Sequence, residues 1–124
     1  MFWKESFNSG LINMISISLK KSLYTLCKSF FFVKLGSFDL SIISIGAYKP
    51  RGMMQASHCT PEEAVEITSM LISKNILGMH WGTIRLSAED PWEPPIKFKK
   101  AAQLRGYQQN QIWQLAIGQT KSLI

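Results

Sequence analysis

The chain holds two histidines, His58 and His80, and imidazole is the side chain best suited to proton transfer and metal ligation near neutral pH. His80 ends the apolar run Ile76-Leu77-Gly78-Met79 and is followed directly by Trp81-Gly82-Thr83. A histidine at the carboxyl end of a buried strand stands where an α/β protein keeps its chemistry. Taken alone it reads as a strand-end residue bonded into the sheet edge, because a zinc ion needs three or four N, O or S ligands at ~2 Å. His58 is followed by Cys59, yet residues adjacent in sequence rarely face each other, and working Cys-His pairs meet through the fold. Glu62 and Glu63 resemble an acid and base pair, but a place in a first helical turn accounts for them through capping and the helix dipole. Lys49 and Arg51 flank Pro50 and are either phosphate contacts or solvated loop charges. Trp81, Trp92 and Trp113 read as packing residues, with Trp92 in a Pro-bounded loop that could line a lipid or acyl pocket.

The elements that must position these residues can be read from the same chain. Phe38 to Ile45 is short, β-branched and mostly apolar, as a strand covered on both faces should be. It stops at Gly46, and Tyr48-Lys49-Pro50-Arg51-Gly52 cannot continue it, since Pro50 lacks a ladder donor and restrains Lys49. Thr60-Pro61-Glu62-Glu63 announces a helix: Thr60 caps, Pro61 takes the first helical position and Glu63 completes a capping box. Ala64, Ile67 and Leu71 supply its buried face, and Lys74 and Asn75 are expected to close it. Ile76 to His80 is then a second strand. Strand, loop, helix and strand make a right-handed crossover between parallel strands, which brings the Gly46 loop and His80 to one sheet edge. A polar loop, a helix from Pro95 to Leu104 ended by Gly106, and a last strand from Ile112 to Ile117 complete the prediction.

Composition bounds what such a unit can be. With 124 residues, 46% of them hydrophobic, the chain has room for one modest core and is not disordered by default. The net charge of +6 comes from Lys and Arg scattered along the chain rather than banded, which makes nucleic acid an unlikely partner and fits an acidic lipid surface or a phosphate-bearing substrate as well. Cys27 and Cys59 show no C-x-x-C spacing, so they read as reduced thiols in a cytoplasmic protein. No apolar run is long enough to span a membrane, and no signal peptide is recognised. Residues 1–35 form a divergent leader, read as helical from Leu19, Leu23, Leu26, Phe30 and Val33 at threes and fours. Its Lys4, Lys20, Lys21, Lys28 and Lys34 leave peripheral membrane contact as a second reading.

Ser37-Phe38-Asp39-Leu40, Ile45-Gly46-Ala47-Tyr48-Lys49-Pro50-Arg51, His58-Cys59-Thr60-Pro61-Glu62-Glu63-Ala64, Gly78-Met79-His80-Trp81-Gly82-Thr83 and Glu93-Pro94-Pro95 occur in this order. Together they resemble the carboxy-terminal part of the metallo-β-lactamase-fold hydrolases, in the branch containing N-acyl-phosphatidylethanolamine phospholipase D and its bacterial relatives. The resemblance implies an α/β fold for residues 36–124, the carboxy-terminal portion of an αββα sandwich. It implies zinc-dependent phosphodiester hydrolysis in the complete family, with His80 as a metal ligand and His58 as a catalytic histidine near the substrate. The family's H-x-H-x-D-H segment and its Gly-Asp-Thr-Gly loop are absent from this sequence. The expectation is therefore a truncated hydrolase that holds no zinc and is inactive alone, its missing ligands carried by an upstream fragment and its substrate a phospholipid or other phosphodiester. The alternative is a non-catalytic remnant, or a small basic protein that binds a partner or a membrane surface.

Overall fold

The computed structural model describes residues 2–7, 12–17 and 37–123. Its centre is the pair of strands that the apolar runs foretell, β3 (Phe38–Ser44) and β4 (Ser73–Met79), which lie parallel with Ile42 opposite Leu77 and Ser44 opposite Met79. Two further strands, β1 (Phe2–Phe7) and β2 (Ile12–Ile17), pair antiparallel with each other, and β2 runs parallel to β3. The short β5 (Ile112–Trp113) adds to the other side of β4, giving the order β1-β2-β3-β4-β5.

Three α-helices accompany the sheet among the described residues: α1 (Arg51–Met54), α2 (Pro61–Met70) and α3 (Glu93–Leu104). In α2 the Thr60 hydroxyl accepts the Glu63 N–H at 3.2 Å while the Glu63 carboxylate accepts the Thr60 N–H at 2.9 Å, the reciprocal bonding of a capping box. Ile43, Ile45 and Ile76 from the strands close on Ala64, Val65, Ile67 and Phe98 from α2 and α3, all at 1% exposure or less. Gly78 belongs to this close fit, since a Cβ there would meet the Ile45 side chain at 2.7 Å.

Several expectations change. Lys74 and Asn75 do not close α2; the helix ends at Met70, Ile72 takes a left-handed φ of 52°, and β4 begins at Ser73. The reversal needs only Leu71 and Ile72, so the two polar residues fall on the strand, where Lys74 reaches Asp39 and Asn75 donates to the Asp39 carbonyl of the neighbouring strand. The helix predicted from Pro95 starts at Glu93, because prolines at 94 and 95 lie in the first turn, where no intrahelical N–H is needed. The last strand keeps only Ile112 and Trp113. Within the leader read as helical, residues 2–7 and 12–17 are strands, with Met14 to Ile17 paired to β3. The apolar stripe on which the helical reading rests, Leu19 to Val33, lies outside the described residues. No helix among the described residues is long and apolar enough to cross a membrane.

Candidate functional site

The site forms where β3 and β4 end. The Ile45 N–H still donates to the Met79 carbonyl at 3.0 Å, and beyond that bond both chains turn sharply. Ala47 and His80 each adopt left-handed backbone, φ 61° and 63°, a conformation that costs energy in residues with a Cβ and that clusters at functional sites. Gly46 lets the two turns meet: a Cβ at that position would lie 2.0 Å from the His80 carbonyl oxygen.

A buried carboxylate holds this crossing. Glu89 is 6% exposed, and its two oxygens accept the Ala47 N–H at 2.6 Å and the Lys49 N–H at 3.0 Å, with the Ser87 hydroxyl as a third donor. The Lys49 carbonyl in turn accepts the Ala88 N–H at 3.1 Å. Burial opposes charge on Glu89, but the Ser87 hydroxyl and the backbone N–H groups outweigh it and hold the carboxyl below its ordinary range. Glu89 stands in a polar loop with no motif around it, and nothing in the sequence distinguishes it from a solvated acid.

His58 and His80 come together across this edge. Their ring centroids are 5.4 Å apart and the ring planes 7° from parallel, so the crossover does bring both imidazoles to one place. Burial, and next the neighbouring His80, lower the His58 pKa, with Glu89 acting weakly the other way. Both backbone polar groups of His58 are occupied: its N–H donates to the Met54 carbonyl at 2.8 Å and its carbonyl accepts from Arg51 Nη1 at 2.8 Å. Arg51 Nη2 spans the two oxygens of Glu63 at 2.5 and 2.6 Å. Arg51 is thus neither a free loop charge nor an open phosphate contact, and Glu63 does more than cap a helix. Lys49 is likewise engaged, donating to Glu93 at 2.8 Å alongside the Tyr48 hydroxyl at 2.9 Å.

Cys59 is excluded as a nucleophile. Its thiol is buried and donates to the Ser44 carbonyl at 3.2 Å, and burial pushes its pKa up to about 12, whereas nucleophilic cysteines need the thiolate. Trp81 donates its indole N–H to the Gly78 carbonyl at 3.1 Å and meets Trp92 edge-to-face with centroids 6.0 Å apart. The cleft beside His80 is lined by Trp81, Thr83, Ile84 and Leu86, and Ile84, Leu86 and Trp92 are exposed at 71%, 60% and 64%.

A zinc ion fits these residues poorly. The lone pair of an imidazole nitrogen lies in the ring plane, so stacked rings 7° from parallel aim their lone pairs alongside one another rather than at a shared point ~2 Å away. Among the described residues no group of three or more His, Cys, Asp or Glu could hold a metal. At most one imidazole of the pair suits a given ion, and the other donors are not among the described residues.

The chain is 42% identical over 73 residues to N-acyl-phosphatidylethanolamine-hydrolyzing phospholipase D 1 of Caenorhabditis elegans, covering 58% of this chain and 20% of that protein. It is 35% identical over 68 residues to the mitochondrial N-acyl-phosphatidylethanolamine-hydrolyzing phospholipase D of Saccharomyces cerevisiae, covering 55% of this chain and 14% of that one. An uncharacterised protein of Mycobacterium tuberculosis is 37% identical over 70 residues, 54% of this chain and 18% of its own. The chain therefore spans about a fifth or less of the length of these relatives. No family model matches it.

Proposed function

Starting from a chain that is a partial relative of the N-acyl-phosphatidylethanolamine-hydrolyzing phospholipase D proteins, we propose that it forms the carboxy-terminal part of a metallo-β-lactamase-type hydrolase domain and contributes His58 and His80 to a centre that cleaves the phosphodiester of a phospholipid. The observation that carries this reading is the meeting of the two imidazoles at the carboxyl edge of the parallel strands, 5.4 Å apart. A neutral imidazole has one donor and one acceptor nitrogen; at His58 this suits orienting a phosphate oxygen or accepting a proton. The exposed Ile84, Leu86 and Trp92 beside the cleft favour a substrate with acyl chains over a small soluble diester. Zinc, the ion the family resemblance implies, would require donors from outside the described residues, with His80 the one ligand drawn from them.

The test is reconstitution. The chain alone should not hydrolyse N-acyl-phosphatidylethanolamine in mixed vesicles or a soluble aryl phosphodiester. Mixed with a polypeptide carrying the H-x-H-x-D-H segment of a relative, it should gain vesicle hydrolysis that falls at least 100-fold with His80→Ala and with His58→Ala. A mixture indifferent to both substitutions would overturn the assignment of the site, and activity in the isolated chain would overturn the requirement for outside donors.

A further inference from the structure

We infer that Arg51 is a positioning residue for His58, clamped by Glu63 so that the His58 ring is held against His80. This deepens the proposed function and rests on it for the meaning of the pair, though not for the geometry. The excursion that carries His58 has little packing of its own: α1 buries no residue, and Gly52, Met53, Ala56 and Ser57 are exposed. A segment with so few apolar contacts is placed by its polar bonds. On the His58 backbone there are two, from its N–H to Met54 within the same excursion and from Arg51 to its carbonyl. The adjoining Cys59 anchors the chain after His58 in the core; of the two bonds to His58 itself, the second leads back to the body of the fold, because the same guanidinium is bound through Nη2 to Glu63 on the first turn of α2. Glu63 is itself fixed, one oxygen accepting the Thr60 N–H.

The chemistry of the link favours arginine. A guanidinium presents donors in a rigid planar fork and can serve a carbonyl and a carboxylate together, whereas an ammonium is a point charge without that geometry. A substrate phosphate at Arg51 would have to displace a carboxylate that the guanidinium holds through both oxygens, so the residue acts through His58 rather than on the ligand.

Because the chain holds two histidines, labelling histidine with 13C and 15N gives one ring spin system for each, and the full chain can be examined without any hydrolysis. Wild type should show inter-ring NOEs and ring shifts displaced by mutual stacking. Arg51→Lys should weaken those NOEs at least threefold and move the His58 ring shifts toward free imidazole, while His80 moves less. Ile112→Val, which loosens the core from β5, across β4 from the strand that leads into the clamp, should lower the Tm without touching the NOEs, separating positioning from general loss of stability. If Arg51→Lys proves too unstable to label, Glu63→Gln, which keeps an oxygen for the Thr60 N–H but removes the charge, should move the same signals in the same direction. Wild-type NOEs and shifts in the folded variants would overturn the inference. Displaced rings together with a failed reconstitution would leave the clamp standing and sink the functional reading instead.

Discussion

At Gly46 the fold allows no side chain, and the reason lies in the neighbouring turn rather than in its own backbone. A methyl group there would come within 2.0 Å of the His80 carbonyl oxygen, and that carbonyl belongs to a backbone already held left-handed at φ 63°. Main chain on both sides leaves no flexible atom to give way. Gly46→Ala should therefore cost ~3 kcal/mol or more, at the upper end of overpacking substitutions, and displace the His80 ring as the turns separate. Urea unfolding gives the cost, and the inter-ring NOE reports the displacement; a variant as stable as wild type would show that the two strand ends are not this close. Gly52→Ala is the natural comparison, since nothing lies within 4 Å of the Cβ it would add, and it should change stability little.

Among the elements, α2 carries the most sequence-encoded instruction. Thr60→Ala removes the hydroxyl that accepts the Glu63 N–H and should cost ~1 kcal/mol by the usual measure of caps, read as a lower midpoint in urea with an unchanged slope. The start of α3 makes a pH prediction. Glu93 receives Lys49, Lys97 and the Tyr48 hydroxyl, and these bonds, Lys49 foremost and then Lys97, lower its pKa from 4.5 to about 2. A depressed folded pKa stabilises the fold fully above the unfolded value, and that contribution is lost as pH falls from 4.5 toward about 2. Stability should decline over this window in wild type and decline less in Glu93→Gln; parallel curves would show that the cluster does not couple to folding. The contrast between these two helix starts explains what was legible. Thr60-Pro61-Glu62-Glu63 is a local code, and the crossover between β3 and β4 follows from local patterns and a chirality rule, so the approach of His58 to His80 could be foreseen. Glu89, the Arg51 fork and the Lys49-Glu93 bond join residues that no periodicity relates, through polar contacts that only the fold sets up. The start of β4 is not legible, because Lys74 and Asn75 look like a helix end until Asp39 on the next strand is known to receive them.

For the whole molecule, the decisive feature is that the two faces of the central sheet are not finished alike. Side chains alternate along a strand, and Ile43, Ile45 and Ile76 point into the core shared with α2 and α3. Ile42 and Leu77, paired across β3 and β4, and Met79 beside them must then point to the opposite face. They are only half-buried and take no part in the core on the helix side. A row of apolar side chains along adjacent central strands is the surface a second layer would cover in a sheet-based domain, and left partly in water it favours association. The chain at micromolar concentration should therefore sediment as a concentration-dependent oligomer. Leu77→Glu should shift it toward monomer while leaving the helix signal in circular dichroism intact, because the introduced carboxylate faces away from α2. If the face is instead the seat of a missing part of a hydrolase domain, adding the H-x-H-x-D-H polypeptide should dissolve the homo-oligomer in favour of a mixed complex, and Leu77→Glu should weaken both assemblies. A monomer with a cooperative thermal transition, unaffected by Leu77→Glu, would show that this face needs no cover.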